Sequence, residues 1–350
     1  MHDQSDGVHM HDHPGADDAI MALALGAADK VRGKTSPNPW VGAVLVAADG
    51  GRFSGATEPP GGRHAEVVAI DAARGAGAEL EGSTLYTTLE PCCHQGRTGA
   101  CTDAILAVGV GRVVVAIADP DPLVGGRGLE ILRQAGLEVS LGVLEAQATE
   151  QLAPYLKHRR TGRPYVTLKM ASTLDGRSAA PDGTSRWITG PDARADVHRL
   201  RAAHDAVLVG AGTVRTDDPE LTVRMVEGAD PRRVVLGRAG SGAKVQPALE
   251  LSGDLSDVLD ELGRQGILSV LVEGGSTVAG SFHRAALVDR YVFYLAPALM
   301  GGADGRSLFG GAGAASMDEV WRGRIVGIQR LGEDLRVDFE AQPGSKADAA

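Results

Sequence analysis

The sequence is poor in cysteine, in aromatic side chains and in positive charge, and each shortage excludes something. Its three cysteines all fall within residues 92–101, so they cannot staple a fold with disulfides. A reducing, cytoplasmic compartment is therefore expected. Thirty-five basic residues against 45 acidic ones leave a formal charge of -10. That argues against a general nucleic-acid binder, which needs a basic surface to displace counterions from phosphates. A small anionic substrate stays open, because a few local arginines can override the overall field. The sequence has no apolar run long enough to span a bilayer and no basic-then-apolar start, so no membrane association and no export signal are expected. The polar opening MHDQSDGVHMHDHP, with His2, His9, His11 and His13, reads as a disordered tail.

What is present is enough for two buried cores. A chain of 350 residues with 43% hydrophobic content is expected to form two domains. The apolar stretch from Asp17 to about Val31 reads as a helix capped by Asp17 or Asp18. VGAVLVA (41–47), TLYTTL (84–89), RVVVAIA (112–118) and LEVSLG (137–142) read as strands, separated by helical patterns from His64, Thr102 and Gly126. Pro91 is placed at the first position of a helix, which would set Cys92 at a positive helix end. This alternation describes a layered α/β domain with a largely parallel sheet. One helix is expected over about 144–163, with the domain boundary inside it. Beyond it, strands at 165–171, 206–211, 233–237, 267–273 and 290–296 alternate with helices over Asp192–Ala203, Leu255–Arg264 and Thr277–Ala286. An antiparallel pair (324–330, 334–340) ends the second α/β series, and the last ten residues are read as frayed.

The chemistry concentrates between His64 and Cys101. The stretch His64-Ala-Glu66 is followed by Pro91-Cys92-Cys93-His94, with Cys101 beyond. One imidazole and two thiolates neutralise most of a zinc ion's charge and leave a fourth tetrahedral position for water. A glutamate two residues after the histidine can then carry a proton between that water and a leaving amine, as in zinc nucleobase deaminases with H-x-E and P-C-x-x-C motifs. Here no cysteine stands at position 95, so the third ligand is Cys93 or Cys101. Side chains of adjacent cysteines diverge, which favours Cys101 and leaves Cys93 beside the site. The competing reading is a closed structural zinc that recruits His94. Asn38, pinned between prolines in TSPNPW (35–40), can present a rigid amide to a ring, although Asn-Pro is also an ordinary turn signal.

These residues resemble the bifunctional deaminase–reductase family of riboflavin biosynthesis. TSPNPWVG (35–42), the His64-Ala-Glu66 motif and LEPCCHQGRTGAC (89–101) are similar to its deaminase half. KMASTLDGR (169–177), SRWIT (185–189), TVRTDDPELTVR (213–224) and VEGGSTVAGS (272–281) are similar to its reductase half. The likeness covers roughly residues 17–340. It implies a cytidine-deaminase-like zinc domain over 15–150, followed by a dihydrofolate-reductase-like domain over 160–341.

Carried over residue by residue, the resemblance implies one zinc on His64, Cys92 and Cys101, Glu66 as the catalytic proton carrier, and Asn38 on the pyrimidine. It implies reductase substrate contacts from Ser185, Arg201, Leu221, Arg224 and Glu273. It further implies an NADPH site lined by Ala171, Trp187, Thr213, Asp217 and the turn Gly275, Ser276, Thr277, Val278, Ala279, Gly280 and Ser281. Arg201 and Arg224 suit bidentate phosphate binding, and the N–H groups of the glycine-rich turn suit a diphosphate. The implied partner is a small phosphoribosylaminopyrimidine, with self-association left open.

The sequence departs from the family pattern at Cys93, Gly99, Ala100 and Gly237. Arg238 follows as a possible cation for the 2′-phosphate of NADP. Competing readings are a nucleobase or RNA deaminase with an accessory second domain, and a noncatalytic zinc-stabilised binding module.

Overall fold

The computed structural model describes residues 14–94 and 99–341. The histidine-bearing start, positions 95–98 of the cysteine loop and the end of the chain from 342 lie outside the described residues. The chain divides into two compact units, Met1–Leu156 and Lys157–Ala350. Among the described residues no helix is long and apolar enough to cross a membrane.

The first unit runs α1 (Pro14–Asp29), β1 (Gly42–Val46), β2 (Arg52–Ala56), α2 (Ala65–Gly75), β3 (Thr84–Thr87), α3 (Cys101–Leu106), β4 (Arg112–Val115), α4 (Arg127–Gln134), β5 (Glu138–Leu141), α5 (Glu145–Gln151) and α6 (Ala153–Thr161). Its five-stranded sheet has the order β2-β1-β3-β4-β5. The sheet is mixed rather than largely parallel: β1 pairs antiparallel with both β2 and β3, while β3-β4 and β4-β5 are parallel. The expectation missed β2 because its half-exposed RFSGA carries no apolar run. The Ala-Asp-Gly-Gly turn before it closes a hairpin, with Gly50 at φ +85°.

Two glycines let helices lie directly on this sheet. A Cβ on Gly42 would stand 1.9 Å from the Ala24 carbonyl oxygen of α1, and one on Gly55 would stand 2.2 Å from the Ala65 carbonyl oxygen of α2. The second approach sets the start of α2, and with it His64 and Glu66, against the sheet.

Three other local expectations are corrected. Helix α1 starts at Pro14, so Asp17 lies inside its first turn. Its carboxylate binds Arg112 at 2.8 and 3.1 Å and the Tyr86 hydroxyl at 2.6 Å instead of capping. Residues 91–94 are not helical, and the helix begins at Cys101. The single helix expected over 144–163 is two, broken at Leu152, because Pro154 fits only the first turn of a new helix.

The second unit runs β6 (Tyr165–Thr173), β7 (Arg177–Ala179), α7 (Pro191–Ala202), β8 (Ala206–Gly210), α8 (Ala211–Asp217), β9 (Arg232–Leu236), β10 (Leu249–Leu251), α9 (Leu255–Arg264), β11 (Ser269–Val272), α10 (Ser276–Arg284), β12 (Arg290–Ala296), β13 (Arg306–Ser307), β14 (Gly323–Leu331) and β15 (Asp334–Ala341). Its main sheet has the order β10-β9-β8-β11-β6-β12-β15-β14. The strands from β10 to β12 are parallel, and β15 and β14 add antiparallel at one edge. All residues of β8 and β11 are buried, as expected of parallel strands covered on both faces. Val166, Leu168, Leu208, Val270 and Phe282 belong to the core that α9 and α10 close. Substrate crevices in such sheets form beyond the carboxyl ends of the parallel strands.

Candidate active sites

In the first unit the chain brings His64, Cys92 and Cys101 together, with their ligand atoms all within 4.8 Å of one another. His64 occupies the N-cap position of α2 without capping it. Its ring turns to the cysteines instead, and Nδ1 lies 3.5 Å from Cys92 Sγ and 3.3 Å from Cys101 Sγ. With Zn–S near 2.3 Å and Zn–N near 2.0 Å, the N···S edge of a tetrahedron is roughly 3.5 Å. The residues therefore fit a zinc ion. Cys92 also accepts the Cys101 backbone N–H at 3.4 Å, so a helix start does meet its sulfur, but the helix is α3.

Among the described residues the group has three ligands and no fourth. His94 is exposed and outside it, and Cys93 Sγ faces the Leu123 carbonyl at 3.8 Å. Glu66 is buried beside the three ligands. Burial, reinforced by the Cys92 thiolate, pushes its carboxyl up to about 7, where a group can both take and return a proton. Hydrogen bonding from Cys101, and then from His64, holds the Cys92 thiol well below its usual range. The same contact and burial push Cys101 up.

Asn38 sits in a tight turn in which its backbone N–H meets the Thr35 carbonyl at 2.9 Å and the Thr35 hydroxyl meets its carbonyl at 3.0 Å. Its side-chain amide has no hydrogen-bond partner among the described residues. Behind the cysteine loop, buried Glu90 accepts backbone N–H groups from Asp119, Gly126, Gly128 and Leu129, at 2.9 to 3.3 Å. Sequence reasoning missed this clasp, since a lone glutamate before a proline carries no signal for it.

The second unit holds a cleft of about 1170 Å³ beyond the carboxyl ends of β6, β8 and β11. Ala171, Ser185, Trp187 and Thr213 line it, as do Asp217, Leu221, Arg224 and Glu273. Backbones close in where the strands end in glycine. A Cβ on Gly210 would stand 2.8 Å from Val278 Cγ2, and one on Gly274 would stand 2.5 Å from Val278 Cβ. Gly275 is the N-cap of α10, and Ser276, Thr277 and Val278 begin that helix on the cleft wall. Further along the turn, Ala279 and Gly280 are buried, and the Ser281 hydroxyl donates to the Thr277 carbonyl at 3.0 Å.

Arg201 lines the same cleft with its guanidinium already engaged. Its guanidinium binds Glu273 bidentately at 2.6 and 2.9 Å and donates to the Thr222 carbonyl at 3.1 Å. Both partners of this pair are nearly buried, and Lys169 Nζ stands 3.8 Å from Glu273. Burial alone would raise the Glu273 pKa, but the charge and hydrogen bonds of Arg201 outweigh it and hold the carboxyl below its usual range. Burial pulls Lys169 down. Its signal in the sequence was a lysine inside an otherwise apolar strand, which needs a partner when buried. Arg224 is half exposed on the cleft wall, where its guanidinium pairs with Glu220 at 2.6 Å and with the Thr222 hydroxyl at 2.9 Å. Arg238 is exposed and does not line the cleft, whereas Lys244 does.

An open three-ligand metal group with a buried carboxylate, and a glycine-walled cleft at parallel strand ends, fit what similar proteins contain. Residues 14–117 match the cytidine and deoxycytidylate deaminase zinc-binding region, and residues 164–337 match the RibD C-terminal domain. The riboflavin biosynthesis protein RibD of Bacillus amyloliquefaciens is 39% identical over 363 residues, covering 94% of this chain and 97% of that protein. The structure of Acinetobacter baumannii RibD superposes with a TM-score of 0.87 at 36% identity, covering 95% of this chain and all of that one. A diaminohydroxyphosphoribosylaminopyrimidine deaminase/5-amino-6-(5-phosphoribosylamino)uracil reductase from Thermotoga maritima gives 0.88 at 34% identity, with the same coverage. The chain belongs to the RibD family of riboflavin biosynthesis proteins, in which a cytidine-deaminase-like zinc domain precedes a dihydrofolate-reductase-like reductase domain.

Proposed function

We propose that residues 15–150 release the 2-amino group of 2,5-diamino-6-(5-phosphoribosylamino)pyrimidin-4(3H)-one as ammonia. Residues 160–341 then reduce the ribosyl group of 5-amino-6-(5-phosphoribosylamino)uracil to ribityl with NADPH. The observation that carries this reading is the convergence of His64, Cys92 and Cys101, with no fourth ligand among the described residues, beside a buried Glu66.

His64, Cys92 and Cys101 hold the zinc, which when bound makes water a nucleophile near neutral pH. Asn38 presents its amide to the pyrimidine edge. Glu66 accepts a proton from the attacking water and delivers it to the departing nitrogen, so one carboxyl serves both halves of the substitution. In the second domain NADPH supplies a hydride for C1′ of the opened sugar. Ala171, Trp187, Thr213, Asp217 and the start of α10 would hold it, the α10 backbone N–H groups being suited to its diphosphate. Ser185, Leu221, Arg224 and the Arg201–Glu273 pair orient the other substrate, with Arg224 on its phosphate. Three unpaired thiols suit a reducing cytoplasm.

The test is to incubate the purified protein with the diamino substrate and follow ammonia and NADPH separately. Ammonia should appear first, with NADPH oxidation depending on it. Turnover of RNA or a free base without NADPH consumption would overturn the assignment.

For the 2′-phosphate two cations are at hand: Arg238 just past β9, and Lys244 on the cleft wall. An Arg238→Ala variant should lose about tenfold of the NADPH/NADH preference, equivalent to roughly 1.4 kcal/mol. If titration of both cofactors shows no change, Arg238 is excluded and Lys244→Ala is the variant that should show the loss.

A further inference from the structure

We propose that His198 is a positioning residue of the reductase cleft, fixing the segment Leu221–Arg224 and so the place of the Arg224 guanidinium. The inference rests on the reading above that Arg224 meets the substrate phosphate.

His198 lies on α7, is 6% exposed and lines the cleft. Its Nδ1 accepts the backbone N–H of Arg224 at 3.0 Å. An N–H donor requires a lone pair at that nitrogen, so the ring that makes this bond is neutral, with its proton on Nε2.

The segment it holds belongs to no strand, and its conformation needs support. Leu221 has φ +56°, a left-handed conformation that a residue bearing a Cβ adopts only when its surroundings hold it there. It is held there by burial among Val207, Val209, Val235 and Val245. The Thr222 carbonyl takes a bond from Arg201 at 3.1 Å, and the Val223 N–H donates to Asp230 at 2.7 Å. His198 supplies the tie for the fourth residue. The Arg224 side chain is half exposed and its guanidinium bonds Glu220 at 2.6 Å and Thr222 at 2.9 Å, both next to it in the same stretch of chain, so its place in the cleft follows the backbone that carries all three.

The charged groups around the imidazole are Arg201 from α7 itself, Arg224 from the held segment and Glu273 at the end of β11. Burial, then Arg201 and Arg224, disfavour the charged ring, with Glu273 and a bond to the Thr222 backbone opposing, too weakly to reverse the direction. The neutral form therefore makes the bond at neutral pH. On acidification Nδ1 becomes a donor facing a donor, and the tie is lost.

The test uses the full-length protein with 5-amino-6-(5-phosphoribosylamino)uracil and saturating NADPH, from about pH 8 to about pH 5.5. His198→Ala should raise KM about tenfold, the effect of one lost buried hydrogen bond. kcat should move far less, and ammonia release should not change. His198→Asn, whose Oδ1 replaces the Nδ1 acceptor and does not titrate, should recover the KM and flatten the rise that the wild type shows in acid.

A wild-type KM that is level across this range, or an asparagine variant no better than alanine, overturns the inference. So does a normal KM in His198→Ala while Arg224→Ala raises it. An Arg224→Ala variant with normal KM instead overturns the phosphate reading beneath.

Discussion

Replacing Glu66 by glutamine is expected to cut ammonia release by about 10²–10⁴-fold, the usual contribution of a positioned acid–base group. NADPH oxidation with the deaminated substrate should stay at the wild-type rate, because the reductase cleft is lined wholly by residues of the second unit. The substitution keeps the size of the side chain and removes its ability to take up a proton from water. Zinc content should therefore stay at one per chain, since the ligand atoms come from His64, Cys92 and Cys101.

The cysteines supply the control. Cys101→Ser should lose both zinc and ammonia release, whereas Cys93→Ser should lose neither, because the Cys93 sulfur faces the Leu123 carbonyl and not the ligand group. Elemental analysis beside an ammonia assay reads all three variants. A glutamine variant with full deaminase activity would falsify the role of Glu66.

Replacing Arg201 by leucine should have the largest effect on stability. It leaves Glu273 buried with only Lys169, 3.8 Å away, as a cationic partner. Removing one member of a buried ion pair costs about 3–5 kcal/mol, because the remaining charge stays desolvated. For a unit of this size that lowers the melting temperature by roughly 10 °C. Reductase turnover should fall with it, while ammonia release measured below the transition persists.

The pH dependence follows the same pair. The folded-state pKa of Glu273 lies below its unfolded value, so the stability it contributes is present above about pH 4.3 and is lost as pH falls through the folded value. The leucine variant should lack that acid-side loss. Melting curves of the two proteins against pH check this, and equal midpoints at neutral pH would show that the pair contributes nothing net.

The elements most legible in the sequence were those with strong periodicity and no competing choice. Continuous apolar runs became β8 and β11, and α9 begins at Leu255 and ends at Arg264, as the pattern expects. β2 was not legible, because a half-exposed edge strand with glycine and serine looks like a connection until β1 supplies its hydrogen-bond partner. The place of Pro91 misled for a related reason: proline tolerates a helix start but does not require one. Instead, residues 91–94 form no helix, and the next helix opens at the last ligand, Cys101.

By itself the sequence determined the chemistry. A histidine, two separated cysteines and a glutamate two residues from the histidine permit a zinc deaminase site, and the chain length and second run of motifs require another domain. Composition argued against a disulfide scaffold and against a general nucleic-acid binder.

Tertiary structure alone decided which groups are free to act. Arg201 and Arg224 are the same residue type and read alike in the sequence, yet one is locked in a nearly buried bidentate pair with Glu273 and the other lies half exposed on the cleft wall in a surface pair with Glu220. It also decided that His198, from a helix with no motif of its own, holds the backbone of Arg224. Side-chain identity states what a group can bind. Burial and the partners brought to it by distant segments determine whether that capacity is already used, and neither is encoded in local pattern.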